Sequence, residues 1–153
     1  MNTSKQNNFK HDIIMKYLQL LFIMILSTIT NGQTIVGQWE TYDDETKEKK
    51  AVIEVYQTNN RYFAKIIKTF IGEKNAICET CKGTKKDKPI IGLVIIENIE
   101  KDGNEFNGGT ILDPENGKTY KCSLTLIRAN KLKVRGYIGF SLFGRTQYWI
   151  RKK

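Results

Sequence analysis

The alternation of polar and apolar residues in short segments, punctuated by turn pairs, constrains this chain more than any other feature. Beyond Gln33 no stretch carries a helical period long enough for a stable helix. In 119–127, Tyr120, Cys122, Leu124 and Leu126 fall on one face and Lys121, Ser123 and Thr125 on the other, the period of a half-buried strand. Strands are expected at 35–42, 50–57, 62–70, 90–99, 105–112, 119–127, 131–138 and 145–151. The turns between them fall at Asn59-Asn60, Asp102-Gly103, Pro114 with Asn116-Gly117, and Ala129-Asn130. The segment 90–99 is nearly continuous in apolar residues, as in a strand covered on both faces or one entered through a turn of helix. Consecutive antiparallel strands form a meander, which protects its edges most simply by closing. The expected fold is therefore all-β: a single eight-stranded antiparallel up-and-down barrel over residues 33–153. A barrel of about eight strands either fills its interior with side chains or holds one small ligand.

The beginning of the chain reads differently. Met15-Lys16, the apolar run from Leu18 to Leu26 and the closing Thr30-Asn31-Gly32 make residues 1–32 a secretory signal peptide, with Met15 as the expected true start. The run is shorter than the roughly 20 residues that cross a bilayer, so membrane contact is expected only through the signal. The expected location is secreted or periplasmic. Cleavage removes His11, the single histidine, and with it imidazole acid/base chemistry and histidine metal sites. Taking Lys5, Lys10, Lys16 and Asp12 from 25 basic and 16 acidic residues leaves 22 against 15, a net charge of +7. The signs are interleaved, as in Lys85-Lys86-Asp87-Lys88, which is the pattern of a solvated face, so nucleic acid is not an expected partner.

Few residues suggest chemistry. Cys78 and Cys81 lie in the long loop 71–88, and in an exported protein such a pair is expected as a local disulfide. Redox cycling and a zinc site built from thiolates with Glu79 are the alternatives. Cys122 lies on the apolar face of its strand and reads as a buried small hydrophobe. Asp113-Pro114-Glu115-Asn116-Gly117 reads as a turn rather than a calcium loop. No catalytic residue, metal or cofactor is assigned, and the carboxylates show no spacing that identifies an acid/base pair.

Gly37-Gln38-Trp39 on the first strand and Trp149-Ile150-Arg151 on the last resemble the lipocalin arrangement, in which a Gly-x-Trp plugs the closed end of a barrel and a late arginine packs across that tryptophan. A wider set of segments covers nearly the whole chain after the signal. It includes Cys78-Glu79-Thr80-Cys81, Lys88-Pro89-Ile90-Ile91-Gly92-Leu93, Asp113-Pro114-Glu115-Asn116-Gly117-Lys118, Val134-Arg135-Gly136-Tyr137 and Phe143-Gly144-Arg145-Thr146-Gln147-Tyr148-Trp149. Together these resemble the bacterial secreted family of domain of unknown function 2147. The resemblance implies a lipocalin-like extracytoplasmic domain and carries no activity.

The expectation for function is a non-enzymatic binding protein for a small amphipathic or anionic molecule. Trp39, Ile53, Val55, Tyr120, Leu124, Gln147 and Trp149 are expected to line the interior, with Arg145 or Arg135 facing the charge. The alternatives are an envelope interaction module with a filled barrel, which would bind an envelope partner, and a thiol-redox role at Cys78 and Cys81.

Overall fold

Asn59 and Asn60 both adopt positive φ, 49° and 64°, the conformation that lets a two-residue turn match the twist of its flanking strands. Tight turns of this kind, alternating with longer loops, connect eight strands. The computed structural model describes residues 15–17, 19, 34–73 and 75–153. Apart from 15–17 and 19, the signal segment expected over 1–32 lies outside the described residues. Residues 33–153 make one compact unit.

The strands are β1 (Gly37–Tyr42), β2 (Lys49–Thr58), β3 (Arg61–Thr69), β4 (Val94–Asp102), β5 (Glu105–Asp113), β6 (Lys118–Arg128), β7 (Lys131–Tyr137) and β8 (Gly144–Arg151). Each pairs antiparallel with the next, and β8 returns to β1 through Trp39 opposite Arg151 and Glu40 opposite Ile150. The result is a closed up-and-down barrel in which each described strand has a neighbour on both sides. Beyond the short segment near the start, the helical content of the described residues is one 3₁₀ turn, Gly83–Lys85.

The largest departure from expectation is β4, which starts at Val94 rather than near Ile90. Residues 90–93 form a turn: Ile90 N–H bonds back to Ala76 O and Gly92 N–H to Ile66 O. Ile90 and Leu93 are apolar because this loop packs on the barrel, whereas Ile91 is exposed. Within β4, Ile95, Ile96 and Ile99 are all buried and Asn98 takes φ 58°, so simple alternation breaks down. Register shifts on the facing β3 accommodate the break.

The meander gives the barrel two unlike ends. One carries the short connections 59–60, 103–104 and 129–130 together with Thr34 to Val36. The other carries the longer loops 43–48, 70–93, 114–117 and 138–143. The buried core runs through the barrel and out under the long loop, taking in Cys78, Cys81 and Leu93.

Candidate functional site

The end with short connections is plugged. Trp39 is wholly buried and its indole N–H donates to Ile35 O at 2.8 Å. The Arg151 guanidinium carbon lies 4.2 Å from the Trp39 ring centroid. Its nitrogens donate to Ala129 O at 2.7 Å and Val36 O at 3.0 Å, and also to Thr34 O. A cation over an indole face contributes about 1–2 kcal/mol where water is partly excluded, and the same guanidinium ties the entering chain to β8. Gly37 makes this approach possible: its φ is 132°, and a Cβ there would stand 2.7 Å from Arg151 Nη1. Partial burial lowers the Arg151 pKa.

The other half of the barrel is hollow. A cavity of about 540 Å³ opens toward the long loops, within the roughly 300–1,000 Å³ of small-molecule sites. Its walls are mainly apolar, with Ile53, Ile66, Ile95, Ile111 and Val134 from the strands and Ile71 and Ile90 from the long loop. Three residues on one face of β8 step down it: Arg145, Gln147 and Trp149. Trp149 is 2% exposed, and its Nε1 is the one buried side-chain nitrogen or oxygen of the described residues without a hydrogen-bond partner. Leaving such a donor unpaired costs about 1–3 kcal/mol.

Charges at the mouth are paired. Arg145 Nε donates to Asp44 Oδ2 at 2.6 Å, and the Gln147 amide reaches the same oxygen at 3.4 Å. The Asp44 carboxylate holds the Arg145 pKa above its ordinary value. Lys50 forms an ion pair with Glu115. Beside them, Asp113 accepts from the Glu115 N–H at 3.0 Å and from the Asn116 amide at 2.9 Å. Asn116 Oδ1 receives the Lys118 N–H at 2.8 Å, which completes the turn expected at 113–117. Gly117 sits at φ 68° against the long loop, where a Cβ would lie 1.9 Å from Thr80 O.

The matches with known proteins agree with this geometry. Residues 37–151 match the family model described as "Uncharacterized protein conserved in bacteria (DUF2147)". The chain belongs to the DUF2147 family. The DUF2147 barrel is similar to the solved structure of protein HP1028 from the human pathogen Helicobacter pylori, which belongs to the lipocalin family. The TM-score is 0.70 at 18% identity, over 78% of this chain and 84% of that one. At that identity the likeness shows a lipocalin-like fold. No curated protein matches the chain.

Of the nine residues expected to contact a ligand, the DUF2147 barrel brings five to the cavity wall: Ile53, Tyr120, Arg145, Gln147 and Trp149. Trp39, Val55 and Leu124 point inward but are buried in the packed half, away from the cavity lining. Alternation specifies the inner face and is silent on depth along the barrel axis, which accounts for their placement.

Arg135 departs further. Leu132 and Val134 are buried, so Arg135 belongs to the outer face of β7. There it donates to Ser141 O at 2.8 Å and Thr146 Oγ1 at 2.7 Å, holding the 138–143 loop instead of facing the interior. The apolar parity of β7 was the signal that could have located it. Asp44, which pairs with Arg145 across 101 residues of sequence, left no such signal.

The DUF2147 cysteines divide as expected. Cys78 and Cys81 form a disulfide, nearly buried within the long loop, with no helix beginning at Cys78. The loop is tied down by Cys78 N–H to Lys88 O at 2.8 Å and by Thr80 Oγ1–H to Pro114 O at 2.8 Å. Cys122 is a free, fully buried thiol whose pKa burial pushes up to about 12. A thiol in that state is a poor nucleophile.

Proposed function

We propose that this DUF2147 protein binds one small amphipathic molecule in the open half of its barrel and works, exported, outside the cytoplasm. The cavity itself carries the reading. In a barrel whose other end is plugged by Trp39 and Arg151, about 540 Å³ stays unfilled and opens toward the long loops. Close packing is the rule in protein interiors, so an apolar hollow of that size is a feature to be explained. Apolar walls supply affinity at roughly 25 cal/mol per Å² buried, and the polar residues of β8 and the 113–117 turn supply orientation. Export is supported by the apolar run from Leu18 to Leu26 and by a disulfide of the kind that persists in oxidising compartments.

The ligand is amphipathic rather than anionic. Arg145 is held by Asp44, Lys50 by Glu115, and Arg135 lies outside, so no cation among the described lining residues is unpaired. Native mass spectrometry of the protein purified from its own source tests the proposal, and a co-purifying small-molecule mass is expected. A bare protein that also takes up no amphipathic probe such as methyl decanoate would overturn it.

A further inference from the structure

We propose that the 138–143 loop is a membrane-docking tip, and that the mouth end of the barrel sits on an anionic phospholipid surface with Phe140 and Leu142 inserted among the lipids. The inference concerns the outside of the molecule and does not depend on the cavity holding a ligand.

Three observations carry it. The first is composition and exposure. Ile138-Gly139-Phe140-Ser141-Leu142-Phe143 holds no charged residue. Phe140, Leu142 and Phe143 are 79%, 84% and 75% exposed, the highest values of any large hydrophobic among the described residues, and Ile138 stands beside them at 68%. Single exposed apolar side chains need no explanation, but four within six residues mark a contact surface.

The second is the state of the loop's backbone. Arg135 Nε donates to Ser141 O at 2.8 Å and its Nη2 to Leu142 O at 3.2 Å. Ile138 N–H donates to Phe143 O and Phe143 N–H to Phe140 O, each at 3.1 Å. All four carbonyls from Phe140 to Phe143 thus have a donor within the protein. Lipid offers a backbone no hydrogen bonds, so a loop that meets it must satisfy its own polar groups. The same bonds hold the loop as a convex tip with its apolar side chains outward, a shape suited to a fluid apolar medium.

The third is charge. The chain after the signal carries a net +7. On the β6 flank of the tip, Lys118 and Lys121 are exposed and form no ion pair among the described residues. Lys121 stands opposite Tyr137, one residue before the tip begins. The carboxylates nearest in sequence are engaged, Glu115 by Lys50 and Asp113 by its own turn. Across β8, on the other flank, the 43–48 loop carries Asp43, Asp44, Glu45 and Glu48. The docked tip therefore leans toward β6, where ammonium groups meet lipid phosphates while the apolar side chains enter the acyl boundary.

Docking in this pose has a consequence for the cavity. Ile138 and Phe143 belong both to the tip and to the cavity lining, so apolar surface runs from the inserted loop into the barrel.

Flotation of the mature chain with vesicles of phosphatidylethanolamine and phosphatidylglycerol tests the proposal, with phosphatidylcholine vesicles as the zwitterionic comparison. The chain should bind the anionic vesicles, at least about fivefold more tightly than the zwitterionic ones, and added salt should weaken the binding. Phe140→Ser combined with Leu142→Ser should cut binding about tenfold or more. Lys118→Gln combined with Lys121→Gln should reduce anionic binding toward the zwitterionic level, a test that leaves the tip itself unaltered.

No vesicle binding, equal binding to both compositions, or a serine variant that floats as well as its parent would each overturn the proposal. So would a dimer in sedimentation that the serine variant breaks while the parent ignores vesicles, since the tip would then meet a second copy of this chain. Methyl decanoate binding in solution is measured separately and bears on the cavity reading alone.

Discussion

The two tryptophans of this barrel sit in equally buried surroundings and meet opposite treatment. At the plugged end, Trp39 has its N–H bonded to Ile35 O, its ring covered by Arg151, and a glycine at position 37 that lets the guanidinium approach. In the hollow half, Trp149 is as inaccessible to solvent, yet its N–H has no partner. The first arrangement is that of a residue whose task is to hold the chain together. The second leaves a stabilising bond unmade inside the protein. One barrel therefore divides into a half built for stability and a half built around a cavity.

The largest effect that could break this division is on stability. Trp39→Phe removes the bond to Ile35 O and weakens the Arg151 stack, and should cost about 2–3 kcal/mol in urea unfolding. Trp149→Phe removes a buried donor that was never paired, and its effect should stay within about 1 kcal/mol of zero. Equal costs for the two substitutions would erase the distinction between the ends.

A smaller effect concerns the mouth. Asp44→Asn withdraws the carboxylate from Arg145 and leaves a cation free at the entrance. Decanoate affinity should rise roughly threefold, a modest gain because the pair is largely exposed, while methyl decanoate affinity should not change. An unchanged preference would mean that pairing at the mouth does not set ligand charge.

The smallest is a pH effect on the outer surface. Glu40 is held below its ordinary pKa of 4.5 chiefly by its hydrogen bond to Lys49 at 2.7 Å, with Tyr42 also donating to it. Because its folded-state pKa is depressed, its stabilising contribution is present above pH 4.5 and is lost as pH falls through the lowered value. Thermal unfolding followed across that window should show a small loss that Glu40→Gln abolishes. A loss of the same size in the variant would assign the effect to other carboxylates, among them Asp43, which the Thr46 and Glu45 N–H groups also hold low.

Much of the architecture could be read before any coordinates. The strands β5 to β8 begin and end within a residue of the alternating segments, because period-two patterning and turn residues are local signals. The plug was equally accessible: Gly37, Trp39 and Arg151 stand where the resemblance to lipocalins implies, and they meet as it implies. The start of β4 was not accessible, because Ile90 and Leu93 are apolar for the sake of a loop packed on the barrel and look the same as strand residues. In the candidate site, parity grouped Arg145, Gln147 and Trp149 on one face of β8, and all three border the cavity. Arg135 could have been excluded by the same parity, since Val134 beside it points inward.

Outside β4, the sequence by itself determined which face of each strand turns inward, where the chain turns, and that eight consecutive strands could close upon themselves. These follow from interactions between near neighbours, each readable within a window of ten residues. Only the tertiary structure decided how deep each inward residue lies, that Asp44 neutralises Arg145 from 101 residues away, and that one buried indole is satisfied while the other is not. Those outcomes depend on side-chain volumes and partners brought together across the barrel, and alternation along a strand carries no information about what stands opposite.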